Sequence, residues 1–301
     1  MLNARGVYRK VTRKVFDFSP EQLASLTSVI WLHRGHSERF VTLVADHLAN
    51  AVQADKEALT LLSAFSDALD DARAVVAPLF KNRTSDIVTE FDKLVQRGAA
   101  DMDIFAKATS DVVKAWSQAK RDNDALKAAA KTIVAQGERG HSLAKEIDHI
   151  TKLFSRLTEA AESENARATR DVKQAAKKLD ETREAATTAL SHIRYFARHA
   201  QWLQDRFPNA KLRDVEGLVK LVDFKELEDH DWSLTPGRYV GVAPEEEDED
   251  FDFEDAMREI HGELADLTAE ATEIADRIAK NFEASLRANN SETSTPREFR
   301  P

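Results

Sequence analysis

Residues 141–157 read HSLAKEIDHITKLFSRL, with apolar side chains at Leu143, Ile147, Ile150, Phe154 and Leu157. The steps between them are 4, 3, 4, 3, the period of a helix that buries one seam against a neighbouring helix. No Gly or Pro interrupts the chain from His141 to Phe207. As one helix, that interval would extend roughly 100 Å at ~1.5 Å per residue. The seam resumes at Leu179, Ala186, Leu190, Ile193 and Phe196. Between the two halves, Glu159 to Asp171 is almost entirely Ala and charge. That portion either packs through small residues or projects into water as a distal tip.

The preceding chain supplies partners of the same kind. Ser19-Pro20-Glu21-Gln22 predicts a helix start, with Ser19 as N-cap and Pro20 in the first turn. Leu23, Leu26, Ile30 and Trp31 share a face, and Gly35 stops the helix after Arg34. A second helix begins at Ser37, carrying Phe40, Leu43, Val44, Leu48 and Val52 on one side. It continues through Leu59, Leu62, Phe65, Leu69 and Val76 as far as Pro78. After a break at Asn82–Ser85, Ser85 caps a helix expected to end near Gly98. A further long helix then carries Met102, Phe105, Val112, Trp116, Leu126, Ile133 and Val134, and is expected to stop at Gly137 and Gly140. The fold class implied is all-α, an elongated antiparallel helical bundle or coiled-coil stalk.

Composition supports this. The 301 residues include nine Gly and seven Pro, few for the turns of a compact α/β enzyme, and 32% are charged. There is no Cys, so thiolate metal sites and disulfides are excluded, and a reducing cytoplasm is expected. No apolar run approaches the ~20 residues of a membrane span. The net charge of −10 argues against a free-standing nucleic-acid clamp. Its distribution is uneven: residues 1–40 carry Arg5, Arg9, Lys10, Arg13, Lys14, Arg34 and Arg39 against Asp17, Glu21 and Glu38. One basic face is compatible with an acidic whole.

Two C-terminal features break the bundle pattern. Trp232 to Gly241 reads WSLTPGRYVG, in which Thr235-Pro236-Gly237 predicts a turn with φ > 0 at Gly237. Trp232, Pro236, Gly237, Arg238, Tyr239 and Val240 form the candidate docking loop. Arg238 suits a phosphate or carboxylate, and Tyr239 a base or a subunit cleft; an intrachain loop anchored by Tyr239 and Val240 is the other reading. An acidic hinge follows, Glu245 to Asp255. Then Phe253, Met257, Ile260, Leu264, Leu267, Ala271, Ile274 and Ile278 step 4, 3, 4, 3, 4, 3, 4, a seam about three heptads long. Those eight are the candidate subunit interface. Residues 289–301 are polar and expected to be disordered.

Catalytic motifs are missing. The sequence holds no phosphate-binding Gly-rich loop, no H-E-x-x-H and no G-x-S-x-G. His192 and His199 lie two helical turns apart and could join Glu184 or Asp205 around a metal, although helix-surface or bundle-edge histidines are the favoured reading of that spacing. The acidic hinge reads as a solvated linker. Neither a catalytic nor a metal residue is assigned.

Three separated segments resemble one family. Asn3-Ala-Arg-Gly with Phe18-Ser-Pro-Glu-Gln through Val29-Ile-Trp-Leu-His-Arg-Gly35 resembles the region after the catalytic domain of type I restriction-modification methylation subunits. Phe207-Pro-Asn-Ala with Asp214-Val-Glu-Gly-Leu resembles that family's approach to its C-terminal loop. Asp229-His-Asp-Trp-Ser-Leu-Thr-Pro-Gly-Arg-Tyr-Val-Gly, with its acidic hinge and heptad helix, is the most specific match. The matches cover about 130 residues at the two ends. The family is an adenine-N6 DNA methyltransferase using S-adenosylmethionine. Its catalytic Asn-Pro-Pro-aromatic loop and its Gly-containing donor pocket lie upstream of the point matching Asn3, and this chain has no Asn-Pro pair. The resemblance therefore implies a C-terminal portion without cofactor of its own, organised as 1–46 following the catalytic domain, 47–206 an inserted helical stalk, 207–244 the docking region, 245–288 hinge and assembly helix, and 289–301 tail. It implies assembly with the DNA-specificity subunit and with methylation and restriction subunits, DNA being reached only through the complex. An independent coiled-coil scaffold and one half of a split active methyltransferase are the alternatives.

Overall fold

The computed structural model describes residues 1–5, 7–10, 15–80, 86–162 and 169–242, and near the C-terminus Ala271, Ile274, Ala275, Arg277 and Ile278. The chain divides into two compact units, Met1–Ala243 and Pro244–Pro301. Among the described residues the first unit holds helices α1 (Pro20–His33), α2 (Ser37–Val76), α3 (Asp86–Gln118), α4 (Asn123–Glu162), α5 (Thr169–Arg206) and α6 (Phe224–Asp229). A two-residue antiparallel ladder joins β1 (Arg9–Lys10) to β2 (Phe16–Asp17). The all-α helical bundle expected from the seam is the observed fold.

α2, α3, α4 and α5 form an up-down-up-down four-helix bundle, each of the two longest helices running ~60 Å. Ion pairs fix the directions. Arg73 of α2 meets Asp92 of α3 at 2.7 Å; Arg97 of α3 meets Glu146 of α4; Arg183 of α5 meets Asp148 of α4 at 3.1 Å; and Lys178 of α5 meets Asp71 of α2 at 2.8 Å. Each sequential pair is therefore antiparallel, and α5 closes back on α2. The interval 141–207 is thus two antiparallel helices, not one of 100 Å. The physical reason is the Ala-and-charge composition of Glu159–Asp171, which supplies no large apolar seam to carry one helix through.

The expected helix ends at Gly98, Gly137 and Gly140 are also corrected. α3 runs through Gly98, and α4 runs through both others. These glycines occupy seam positions where a neighbour comes close. A Cβ on Gly137 would sit 3.0 Å from Arg194 Cα, and one on Gly140 would sit 3.4 Å from Leu190 Cδ2 and 3.5 Å from the Phe105 ring. The real break falls at residues 119–122, where the Asp122 carboxylate accepts from the Ala125 N–H at 2.9 Å and starts α4. The bounds of α1 and α2 match expectation, while the Asn82–Ser85 break and the Ser85 cap lie outside the described residues. Ser19 and Gln22 form a capping box, and α1 ends in a Schellman motif, with Gly35 at φ +79° and the His36 N–H donating to Trp31 O at 2.9 Å.

The bundle core is in two apolar parts. One contains Leu62, Phe65, Phe91, Phe105, Ile147, Phe154, Leu179 and Leu190; the other contains Phe40, Leu48, Val112, Leu126, Ile133, Leu203 and Phe207. Between them lies a polar layer. Asp55 Oδ1 accepts from Thr109 Oγ1 and Gln136 Nε2, each at 3.0 Å, and Gln136 Nε2 also reaches Phe105 O at 3.2 Å. Asp55 and Gln136 are fully buried, and Asp55 Oδ2 has no partner. Burial pushes the Asp55 carboxyl up, against the lowering effect of Gln136 and Thr109. Three helices are tied at one level by this layer, at a cost in desolvation that an apolar layer would not carry.

α1 lies against α2 and α5 at one end of the bundle. There the chain start and residues 215–220 interlock: Asn3 N–H donates to Leu218 O at 2.8 Å, and Lys220 N–H donates to Met1 O at 3.0 Å. Arg213 closes the C-terminus of α5, its guanidinium donating to Arg206 O and Asp205 O at 2.6 and 2.8 Å. α2 crosses the expected 46/47 boundary without interruption.

Candidate docking site

The loop after α6 is built inward from Tyr239 and Val240. Both are buried, Tyr239 at 5% and Val240 at 4% exposure. The Tyr239 hydroxyl donates to Ser233 O, its ring meets His230 edge-on at 5.0 Å, and Gly217 N–H donates to Val240 O at 2.6 Å. Of the two readings of the loop, the intrachain anchor is the one observed for these two residues. Tyr239 is not presented for stacking on a base. Pro236–Arg238 is a single 3₁₀ turn, so Gly237 does not take the expected positive φ; the left-handed residues are Asp231 (φ +51°), Trp232 (φ +56°) and Gly241 (φ +73°). A Cβ on Gly237 would meet nothing within 4 Å.

Two consecutive non-glycine residues in the left-handed region store backbone strain. Their effect is to turn the chain so that Trp232 stands 59% exposed. In the same stretch of chain Phe224 (79%), Leu234 (74%), Val242 (85%) and Leu221 (53%) are also exposed. Five large apolar side chains face water within 22 residues, while the bundle helices α2–α5 expose only Ile104 and Tyr195 among their described large hydrophobics. Asp223, Glu228, Asp229 and Asp231 are exposed among them, against Lys225 and Arg238. Sequence reading found Trp232 and missed the other four. Their signal was composition: apolar residues within an acidic, helix-poor stretch, with no period to bury them.

In the second unit Ala271, Ile274 and Ile278 are helical and exposed, Ile274 at 40% and Ile278 at 63%. Phe253, Met257, Ile260, Leu264 and Leu267 lie outside the described residues.

A second constellation joins α1, α2 and α5. Tyr195 donates its hydroxyl proton to Glu21 Oε2 at 2.7 Å and lies 2.9 Å from Ser19 Oγ. Its ring meets His199 edge-on at 4.6 Å, and His199 lies 5.6 Å from His47. His47 is 4% exposed and its Nε2 has no partner. Burial first, then the nearby His199, lowers the His47 pKa to about 4, against the raising effect of Glu21. Burial lowers His199 as well, again opposed by Glu21. Both imidazoles are held neutral at pH 7, the state in which two of them can share an interior. His199 thus faces His47 and Tyr195 in place of the partners considered for a metal with His192. Among the described residues no group of three or more His, Asp or Glu side chains is placed to hold a metal ion. No helix among them is long and apolar enough to cross a membrane.

Compared with protein families, with curated proteins and with solved structures, the chain matches none.

Proposed function

We propose that this chain is the non-catalytic C-terminal part of a type I restriction-modification methylation subunit, an N6-adenine DNA methyltransferase, and that it serves assembly with the DNA-specificity subunit. The supporting observation is the segregation of exposed apolar surface. α2–α5 bury their seams against one another, whereas Phe224, Trp232, Leu234 and Val242 stay exposed. Clustered exposed aromatic and aliphatic anchors are what a protein interface requires. The heptad helix, of which Ile274 and Ile278 are exposed, supplies a second contact. On this reading S-adenosylmethionine belongs to the complete enzyme and does not bind this chain, the restriction subunit joins the assembled complex, and the protein works in the cytoplasm.

The scaffold alternative rests on the bundle, whose helices bury their seams against one another. An upstream reading frame encoding Asn-Pro-Pro-aromatic separates the two, and a frame whose product restores methylation favours the split enzyme. The docking loop is tested by joint replacement, Trp232→Ser with Leu234→Ser. Both side chains are exposed, so the bundle keeps its helical circular dichroism. The expected result is at least a tenfold weaker complex with the specificity subunit; unchanged affinity removes the loop from the interface.

A further inference from the structure

The β1–β2 hairpin carries chemistry that the assembly reading does not use. In its register Lys10 stands opposite Phe16, and Arg9 opposite Asp17. Tyr8 and Phe16 meet edge-on at 5.0 Å, and each leaves about half of its surface in water, 48% and 56%. Phe18 and Val15 beside them are 40% and 50% exposed. Arg9 is committed to Asp17 at 3.4 Å, while Arg5 is exposed and makes no ion pair with any described residue. The ladder thus holds two open aromatic rings, with the backbone of Lys10 opposite Phe16 and the exposed Arg5 three residues before Tyr8, in a chain whose net charge is −10. A buried hairpin would hide its rings. An ordinary solvated one would carry few of them.

We propose that this hairpin binds single-stranded nucleic acid directly, with Tyr8 and Phe16 stacking on bases and the cations at 5 and 10 meeting phosphates. Charge selects this occupant. An acidic strand is complementary to the hairpin and would be repelled by most of the remaining surface, so contact is confined here. Aromatic faces add what phosphate attraction alone lacks, since every base offers a π-face and unpaired bases are free to stack. Duplex DNA hides those faces and gains only the phosphate contacts. Neither the 221–242 loop nor the C-terminal helix takes part, so strand binding and subunit assembly stand or fall separately.

The experiment is fluorescence anisotropy of the full chain with a labelled twenty-nucleotide thymidine strand and with a duplex of equal length. The single strand is expected to bind in the micromolar range at 50 mM salt and the duplex at least fivefold more weakly. Raising salt to 200 mM should weaken the single-strand complex about sevenfold, as two phosphate contacts require. Tyr8→Ala and Phe16→Ala should each weaken it about tenfold, and Arg5→Gln should flatten the salt dependence; Trp232→Ser should leave binding unchanged. Absence of binding, equal affinity for duplex, or insensitivity to both aromatic replacements would overturn the proposal. Circular dichroism of each variant separates loss of contact from loss of fold.

Discussion

A Gly137→Leu chain is expected to melt roughly 6–12 °C below the parent protein. Gly137 lies on the α4 face that meets α5, where an added Cβ would stand 3.0 Å from Arg194 Cα and 3.4 Å from Arg194 N. Those are backbone atoms, so no rotamer change can relieve the contact and the two helices must separate. Overpacking of this kind costs typically 1–3 kcal/mol. The upper end is expected because the rest of the leucine has no space to enter, and ~3 kcal/mol converts to the stated shift at ~2–4 °C per kcal/mol. Helix propensity pulls the other way, a non-glycine residue gaining up to ~1 kcal/mol, and is too small to compensate. Gly237→Ala is the control: with nothing within 4 Å of its added Cβ, it should change stability by no more than ~0.5 kcal/mol. Equal melting of Gly137→Leu and the parent would mean that α4 and α5 do not approach as described.

Acid should destabilise the bundle through His47. Its native pKa of about 4 lies below the ordinary 6.5. Between those values the unfolded chain binds a proton that the native chain refuses, so stability rises with pH across that window. Going down, the loss begins near pH 6.5 and by pH 4 amounts to about 3 kcal/mol from this residue. His199 acts in the same direction, since burial lowers it too. Among the described residues Glu21 is the acid acting on the pair, and it opposes both shifts without cancelling either. Urea unfolding of the parent and His47→Phe at pH 7 and pH 4 checks this. The variant should lose about 3 kcal/mol less between the two pH values; identical losses would show that His47 is not held neutral by its surroundings.

Much of the fold was legible because seams are periodic. The α2 seam runs Leu48, Ala51, Asp55, Ala58, Leu62, Phe65, Leu69, Ala72 and Val76, all buried, and any reading of 3- and 4-residue steps finds it. What misled was punctuation. Gly98, Gly137 and Gly140 look like stops because glycine is a poor helix former, but at a tight crossing the missing Cβ is worth more than the lost propensity. Whether a glycine ends a helix or lets one pass depends on the partner helix, which local sequence does not contain. Asp55 was not singled out from the sequence, since its partners Thr109 and Gln136 are 54 and 81 residues away. The docking loop divided similarly. Pro236 marked the turn, yet the strain fell at Asp231 and Trp232, where Tyr239 and Val240, bonded back to Ser233 and Gly217, fix the path.

Assembly with a DNA-specificity subunit is what this chain is proposed to do. It is measured by light scattering on a gel-filtered mixture of the full chain and the specificity subunit of a type I restriction-modification system. A stable heterocomplex is expected, lost when Leu264→Asp and Leu267→Asp are introduced together and the bundle's helical signal is retained. Two separate species with the parent chain, or a complex indifferent to both substitutions, would contradict it.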